Sequence, residues 1–259
     1  MINHHKIFGL LFIYLIFGSN LKTSAYASED QLTEIWEYKI QYLNLPSTKL
    51  IFFIHSLNQP PQPAQIKLKV QAQTVGVFSF LFKVDNLYET VFSGDNFMPD
   101  YLYKKVDQKN IQQTWTIRYH QTEHLAVLDS TRRWEIPPQC HNYFSMLFFL
   151  RNQPLQLNET YCFNLDVECL GWQVTAQVLD KTVLSLNQQD LATIKMELNF
   201  APFKCDQQRP WKTDLLTNRI AKEAEPMFIW FGDDDQRLIY RVDYDSNTKM
   251  FLERTDGLK

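Results

Sequence analysis

From residue 35 to residue 254 the chain keeps returning to a period of two. "EIWEYKIQYLNL", "IKLKVQAQTVG", "QQTWTIRYH" and "ATIKMELNF" each alternate apolar with polar side chains. That alternation places one row of side chains on each face of a strand. Ile35, Tyr38, Ile40 and Tyr42 have strand spacing, and "TKLIFFIHSL" continues after the break at Pro46. Turns such as "SGDN", "DQKN" and "NQQD" separate strands whose spacing is near 10 residues, the rhythm of an antiparallel sheet. With only 7 glycines in 259 residues, the turns must draw on Asn, Asp and Pro. Further strands are predicted at 160–168, 172–185, 191–203, 227–231, 237–244 and 249–254, and 213–225 reads as a short helix or an ordered loop.

The period breaks once, at "PPQCHNYFSMLFFLRNQPL". Prolines flank a segment that is apolar nearly all round, from Tyr143 to Leu150. Such a segment is a short buried helix rather than an amphipathic surface one. Residues 77–83, "VFSFLFK", are apolar on both faces and read as a strand with Phe78, Phe80 and Phe82 on one side. A two-faced strand needs cover on both sides. The expected fold is therefore mainly β: a curved antiparallel sheet or half-barrel wrapped around the one helix at 142–151.

The first 27 residues have a weakly basic start at Lys6, an apolar run from Ile7 to Gly18, and Ala25-Tyr26-Ala27 before Ser28. This pattern is that of a cleaved signal peptide. Its apolar run falls short of the roughly 20 residues a membrane-spanning helix needs. The expectation is a periplasmic chain with no transmembrane span after cleavage, forming a single domain over 28–259. Losing Lys6 and Lys22 takes the formal charge from −3 to −5. A mildly acidic chain without a basic block argues against nucleic acid and against anionic membrane surfaces.

Export would bring Cys140, Cys162, Cys169 and Cys205 into an oxidising compartment. Cys162 and Cys169 on one strand would lie about 23 Å apart, too far to bridge. The hairpin through "NQQD" sets Cys205 near Cys169, which favours Cys169–Cys205 and leaves Cys140 with Cys162. Free buried thiols are the alternative.

Several segments, in order, resemble the family named domain of unknown function 3108, whose members are secreted bacterial proteins. They are "EIWEYKIQYLNLPS", the A-x-T-x-G strand with Ala72, Thr74 and Gly76, "NYFSMLFFLRNQPL" with Ser145, Arg151 and Pro154, and "FIWFGDDDQRLIYRVD" with Trp230, Asp234, Asp235 and Arg237. The chain departs from the pattern at Ser47-Thr48 and at Ile239-Tyr240. The resemblance implies a curved-sheet envelope protein and brings no catalytic residues with it.

Four local features invite chemistry. His120, Glu123 and His124 spell H-x-x-E-H, a zinc-hydrolase pattern that requires both histidines on one helix face and a third ligand, for which Glu223 and Glu225 are the candidates. The flanks are strand-like, so a hairpin turn is the competing reading. "GDDDQR" offers Asp233, Asp234 and Asp235 to a calcium ion or forms a polar turn in which Arg237 pairs with an aspartate. Cys140-His141 are sequence neighbours, and Ser145 sits inside the helix, where a serine bonds its own backbone. The chain has no G-x-S-x-G, G-x-G-x-x-G or G-K-[ST], so nucleophile-elbow, dinucleotide and P-loop chemistries have no sequence support.

Phe52, Phe53, Phe78, Phe80, Phe82, Phe148, Phe149, Trp172 and Trp230 supply more apolar area than a single-faced sheet uses. They either fill a thick core or line a cavity for a lipid or other apolar ligand. The cavity reading takes Phe78, Phe80, Phe82, Phe148, Trp230 and Arg151 as its residues. Arg151 would anchor the ligand there or else bond carbonyls at its helix end. The function expected is a non-enzymatic envelope protein without cofactor that binds such a ligand. The alternatives are an assembly partner for another envelope protein and a metal-dependent hydrolase.

Overall fold

The computed structural model describes residues 29–58, 64–204 and 214–257. The signal segment 1–27, most of the proline-rich connector and Cys205 lie outside these residues. Eight strands run in chain order in the first half: β1 (Glu29–Tyr42), β2 (Leu45–Asn58), β3 (Gln65–Thr74), β4 (Asp85–Ser93), β5 (Pro99–Gln108), β6 (Ile111–His120), β7 (Leu125–Leu128) and β8 (Arg132–Glu135). Seven follow: β9 (Cys140–Asn142), β10 (Thr160–Val167), β11 (Leu170–Leu186), β12 (Gln189–Pro202), β13 (Met227–Gly232), β14 (Ile239–Asp243) and β15 (Thr248–Gly257). Two helices interrupt them, α1 (Phe78–Leu81) and α2 (Tyr143–Arg151).

All fifteen strands form one curled sheet in the order β8 to β1, then β15 back to β9. Each neighbour pair is antiparallel except β9–β10, which is parallel. A parallel pair needs a crossover rather than a tight turn. Here the crossover is α2, and it runs through the inside of the curl. The curved antiparallel sheet around one buried helix is thus the fold found. The edge strand β9 is tied to the β6–β7 turn through a side chain: Gln121 Nε2 donates to the Cys140 carbonyl at 2.8 Å and the Cys140 N–H donates back to Gln121 Oε1 at 3.1 Å.

Helix α2 is held at both ends. Asn142 caps its N-terminus by accepting from the Phe144 and Ser145 N–H groups, and Ser145 Oγ accepts from the Asn142 N–H, closing a capping box. At the C-terminus two arginines cross. Arg151 Nε donates to the Gln236 carbonyl at 2.7 Å, and the Arg237 guanidinium donates to the carbonyls of Gln153 and, at 3.3 Å, Pro154. The helix's own terminal carbonyls are met by Asn152 Nδ2 on Phe148 at 2.8 Å, Gln153 Nε2 on Phe149 at 3.1 Å and Arg237 Nη1 on Arg151 at 3.5 Å. Phe148 stacks on Trp36 of β1 at 5.6 Å and Phe144 meets Tyr88 of β4 at 5.4 Å, so the helix spans the width of strands β1 to β4.

The structure corrects three expectations. Residues 77–82 are not a strand. Gly76 turns the chain at φ +61° and α1 follows, so Phe78, Phe80 and Phe82 do not share a face, and Phe80 is 91% exposed. The Arg237 side chain does not pair with an aspartate; only its backbone N–H meets Asp234 Oδ1, at 2.8 Å. Cys140 and Cys162 are not bridged: Cys140 is buried opposite Asn164, while Cys162 is exposed. Cys169 also carries a free thiol, and its expected partner Cys205 is outside the described residues. Residues 214–221 form an ordered loop of successive turns.

The scarcity of glycine has a structural consequence. Among the described residues fourteen non-glycine positions have positive φ, eight of them in adjacent pairs at Leu43-Asn44, Asp129-Ser130, Glu168-Cys169 and Asn187-Gln188. Two consecutive positive φ values are what a two-residue hairpin of right-handed twist demands. Asn and Asp tolerate the position; Leu, Glu and Gln are strained there by about 1 kcal/mol or more. Gln188 is exposed at its hairpin tip. Gln188→Gly is therefore expected to raise unfolding stability by about 0.5–1 kcal/mol in urea titration, and an unchanged or lower midpoint would show that the turn carries no such strain.

Candidate functional site

The curl is wider than α2 alone can fill. Between the helix and strands β1 to β4 lies a cavity of about 310 Å³. Its inner wall is Tyr143, Phe144, Met146 and Leu147 of α2, and the sheet supplies Ile40, Leu50, Phe52, Val70 and Tyr88. Met227, Val242 and the 215–220 loop close the far side. The lining is apolar apart from a few hydroxyls and Arg219 at the mouth. The Tyr143 hydroxyl is buried without a hydrogen-bond partner, and burial pushes its pKa far up, so it stands as a neutral donor. The exposed lining residues Phe82, Leu215 and Arg219 mark the opening, beside α1 and the β1–β2 turn. There Leu43, Leu45, Val77, Phe80 and Leu81 face solvent.

Beyond α2 the interior is polar. Lys104 and Glu168, each about 1% exposed, pair at 2.7 Å, with Lys104 Nζ 4.4 Å over the Trp115 ring and Thr217 Oγ1 donating to Glu168 at 2.5 Å. Asp214, wholly buried, accepts from Tyr88 Oη (2.5 Å), Gln108 Nε2 (2.7 Å), Asn86 Nδ2 (3.2 Å) and the Leu216 N–H (2.9 Å). Two buried carboxylates thus pin the 214–221 loop across the interior, and the loop's side chains Leu215, Leu216 and Ile220 turn into the cavity. Asp166 is the third buried acid. It accepts from Tyr119 Oη at 2.9 Å and Trp134 Nε1 at 3.3 Å, and desolvation lifts its pKa to about 7.

Of the residues expected around a cavity, Phe78 and Phe82 line it. Phe80 points to solvent, and Phe148 is in the aromatic core against Trp36 and Phe92. Trp230 lies between Lys195 and Arg241 on β12–β14, with Arg241 4.5 Å over its ring. Arg151 clasps the β13–β14 turn, sits 4.8 Å over Trp36 and lies 3.7 Å from Glu34. The polar layer went unpredicted, yet the period of two marks it: in β5, Leu102, Val106 and the alternating Lys104 and Gln108 must all face inward.

His120 ends β6, a 3-10 turn covers Gln121–Glu123, and His124 has φ +52°. The H-x-x-E-H residues are exposed around a turn, not aligned on a helix face. Among the described residues no group of three His, Cys, Asp or Glu side chains is placed to hold a metal. Asp233 pairs with Lys181 at 2.9 Å in the polar β13–β14 turn. His141 is buried, its Nδ1 3.2 Å from the Phe97 carbonyl, and desolvation pulls its pKa down to about 4. Cys140 is likewise buried, and the loss of water pushes its thiol pKa up, away from the thiolate.

The chain belongs to the family described as "Protein of unknown function (DUF3108)", which matches residues 38–249. No curated protein matches it. A solved crystal structure, a beta-barrel-like protein of domain of unknown function DUF1849 from Brucella abortus, is similar with a TM-score of 0.53 at 7% identity, covering 88% of this chain and 99% of that one. That likeness is one of fold. Both comparisons lead to families of unknown function, so no enzymatic activity is indicated. No helix among the described residues is long and apolar enough to cross a membrane.

The buried pair makes a direct prediction. Lys104→Met leaves Glu168 charged and uncompensated and is expected to cost about 3–5 kcal/mol in urea unfolding, while Lys104→Met combined with Glu168→Gln recovers much of the loss. Equal losses in the single and double variants would show that Lys104 acts through packing instead.

Proposed function

We propose that this DUF3108 protein is a non-enzymatic, periplasmic binder of one acyl chain or an apolar ligand of similar size. The observation that carries the reading is the cavity between α2 and β1–β4, which is walled by apolar side chains and open at one end. Its 310 Å³ falls at the small end of ligand pockets, about 300–1,000 Å³, and suits one chain rather than a diacyl lipid entire. Roughly ten methylenes at about 0.8 kcal/mol each give ~8 kcal/mol, near micromolar binding before association costs are subtracted. No specific headgroup contact is needed for that. The Tyr143 hydroxyl offers one hydrogen bond inside, and Arg219 one positive charge at the mouth. The signal-like segment before Ser28 supports the compartment.

The alternative, an envelope assembly partner, is favoured by the exposed apolar side chains around the mouth. The two readings differ in what accompanies the protein. Native mass spectrometry of protein purified from membrane-containing cells is expected to show a bound lipid, one per chain. Met146→Trp, which fills the cavity from α2, should reduce its occupancy about tenfold. A bare mass that stays bare when fatty acid is added contradicts ligand binding. Stoichiometric zinc lost on His120→Ala would instead support a hydrolase.

A further inference from the structure

We infer that the rim of the cavity is a docking surface for an anionic lipid bilayer, and that the ligand passes between bilayer and cavity there; the second half rests on the ligand reading of the cavity. Three segments build the rim: 41–49 from the β1–β2 turn, 72–84 around α1, and 215–222 from the pinned loop. They are physically joined. The Val75 N–H donates to the Ser47 carbonyl at 2.9 Å, Phe78 faces Tyr42 at 6.2 Å, and the Arg219 guanidinium is 5.8 Å over the Tyr42 ring.

Nine large apolar side chains are exposed among the described residues, and all but Leu157 and Val183 belong to these three segments. Such a concentration is not the usual scatter of surface apolar residues. Helix α1 has two roles. Phe78 and Phe82, about one turn apart, line the cavity, while Phe80 between them points away and is 91% exposed. An apolar path therefore runs without a break from the outermost ring into the interior.

Charge selects the partner. The three segments carry four cations, Lys49, Lys83, Arg219 and Lys222, in a chain of formal charge −3, and the exposed acids Asp85 and Glu223 stand at their ends. Lys49 pairs with Glu37, Lys83 with Asp107, and Lys222 with Glu225 and Asp245. These pairs are half-exposed, except that Asp245 is nearly buried, and the exposed lysine ends are of small net worth to stability, so lipid phosphates can compete for them. Arg219 meets no carboxylate among the described residues. Exposed apolar tips beside Tyr42 and the Arg219 guanidinium have the composition of an interfacial anchor. A protein partner seated here would cork the mouth; a bilayer would supply it. The charge is invisible in the linear sequence because no single segment is strongly basic.

The test uses vesicles of phosphatidylcholine alone and of phosphatidylcholine with phosphatidylglycerol in equal parts, with the protein as purified from cells. The mixed vesicles should bind it at least about fivefold more tightly, given about 1 kcal/mol for one cation near an anionic surface. Phe80→Asp, at a position too exposed to disturb folding, should weaken binding about tenfold without changing the melting temperature. In Phe80→Trp, brominated lipid should quench the added fluorescence; in Val183→Trp, exposed elsewhere, it should not. Met146→Trp should keep vesicle binding while losing ligand, so docking and cavity binding fail or stand separately. Unchanged binding by Phe80→Asp, or equal quenching at 80 and 183, overturns the inference. So does a dimer that Phe80→Asp dissociates with no quenching at position 80, which would give the rim to a second copy of the chain.

Discussion

One parallel strand pair decides the shape of this molecule. β9 and β10 can be joined only by a crossover, and the crossover is α2, laid along the inner face of an otherwise antiparallel sheet. A sheet of fifteen strands that curls on itself without filler would leave its inner side chains facing a void. The helix supplies the filler, and the stacking of Phe148 on Trp36 and the contact of Phe144 with Tyr88 fix where it sits. Because α2 has only nine residues, it reaches part of the interior. The rest is divided between a polar layer and the cavity.

That division follows from the cost of burying charge. Lys104, Glu168, Asp166 and Asp214 sit where apolar packing would be expected, and each has found partners. Unpaired, each would carry a desolvation penalty of several kcal/mol. Two of these groups bind the 214–221 loop, so the polar layer holds in place the segment that walls the cavity. The cavity itself has no such claim on its lining. An unfilled apolar space forfeits dispersion contacts on all sides, and a ligand restores them.

The fold was largely legible, because its two signals are long-range and redundant. Period-two alternation recurs strand after strand, and the apolar run at 143–150 is interrupted by nothing that would suit a strand. The residues that carry the family resemblance prove to be those that fix α2: Ser145 closes the capping box, and Arg151 and Arg237 cross at the helix end. The site was less legible. "VFSFLFK" has a strand's composition, and what makes it α1 is the turn at Gly76 together with the contact of Phe78 on Tyr42, thirty-six residues away in the chain. Asp214 looked like any acid in a polar loop; its four donors come from β4, β5 and its own turn, which no local window contains. His120 and His124 drew attention through spacing alone, whereas Gln121 between them ties the β6–β7 turn to the edge strand β9.

The proposed ligand site is the apolar space between α2 and β1–β4. Amide hydrogen exchange with and without a saturating long-chain fatty acid tests it most directly, since a ligand that binds only the native state raises protection where it binds. Slowed exchange is expected at 40–52, 143–147 and 215–220, with the distant β6–β8 strands unchanged. Exchange that is unaltered in those three segments, or altered equally throughout the sheet, would contradict it.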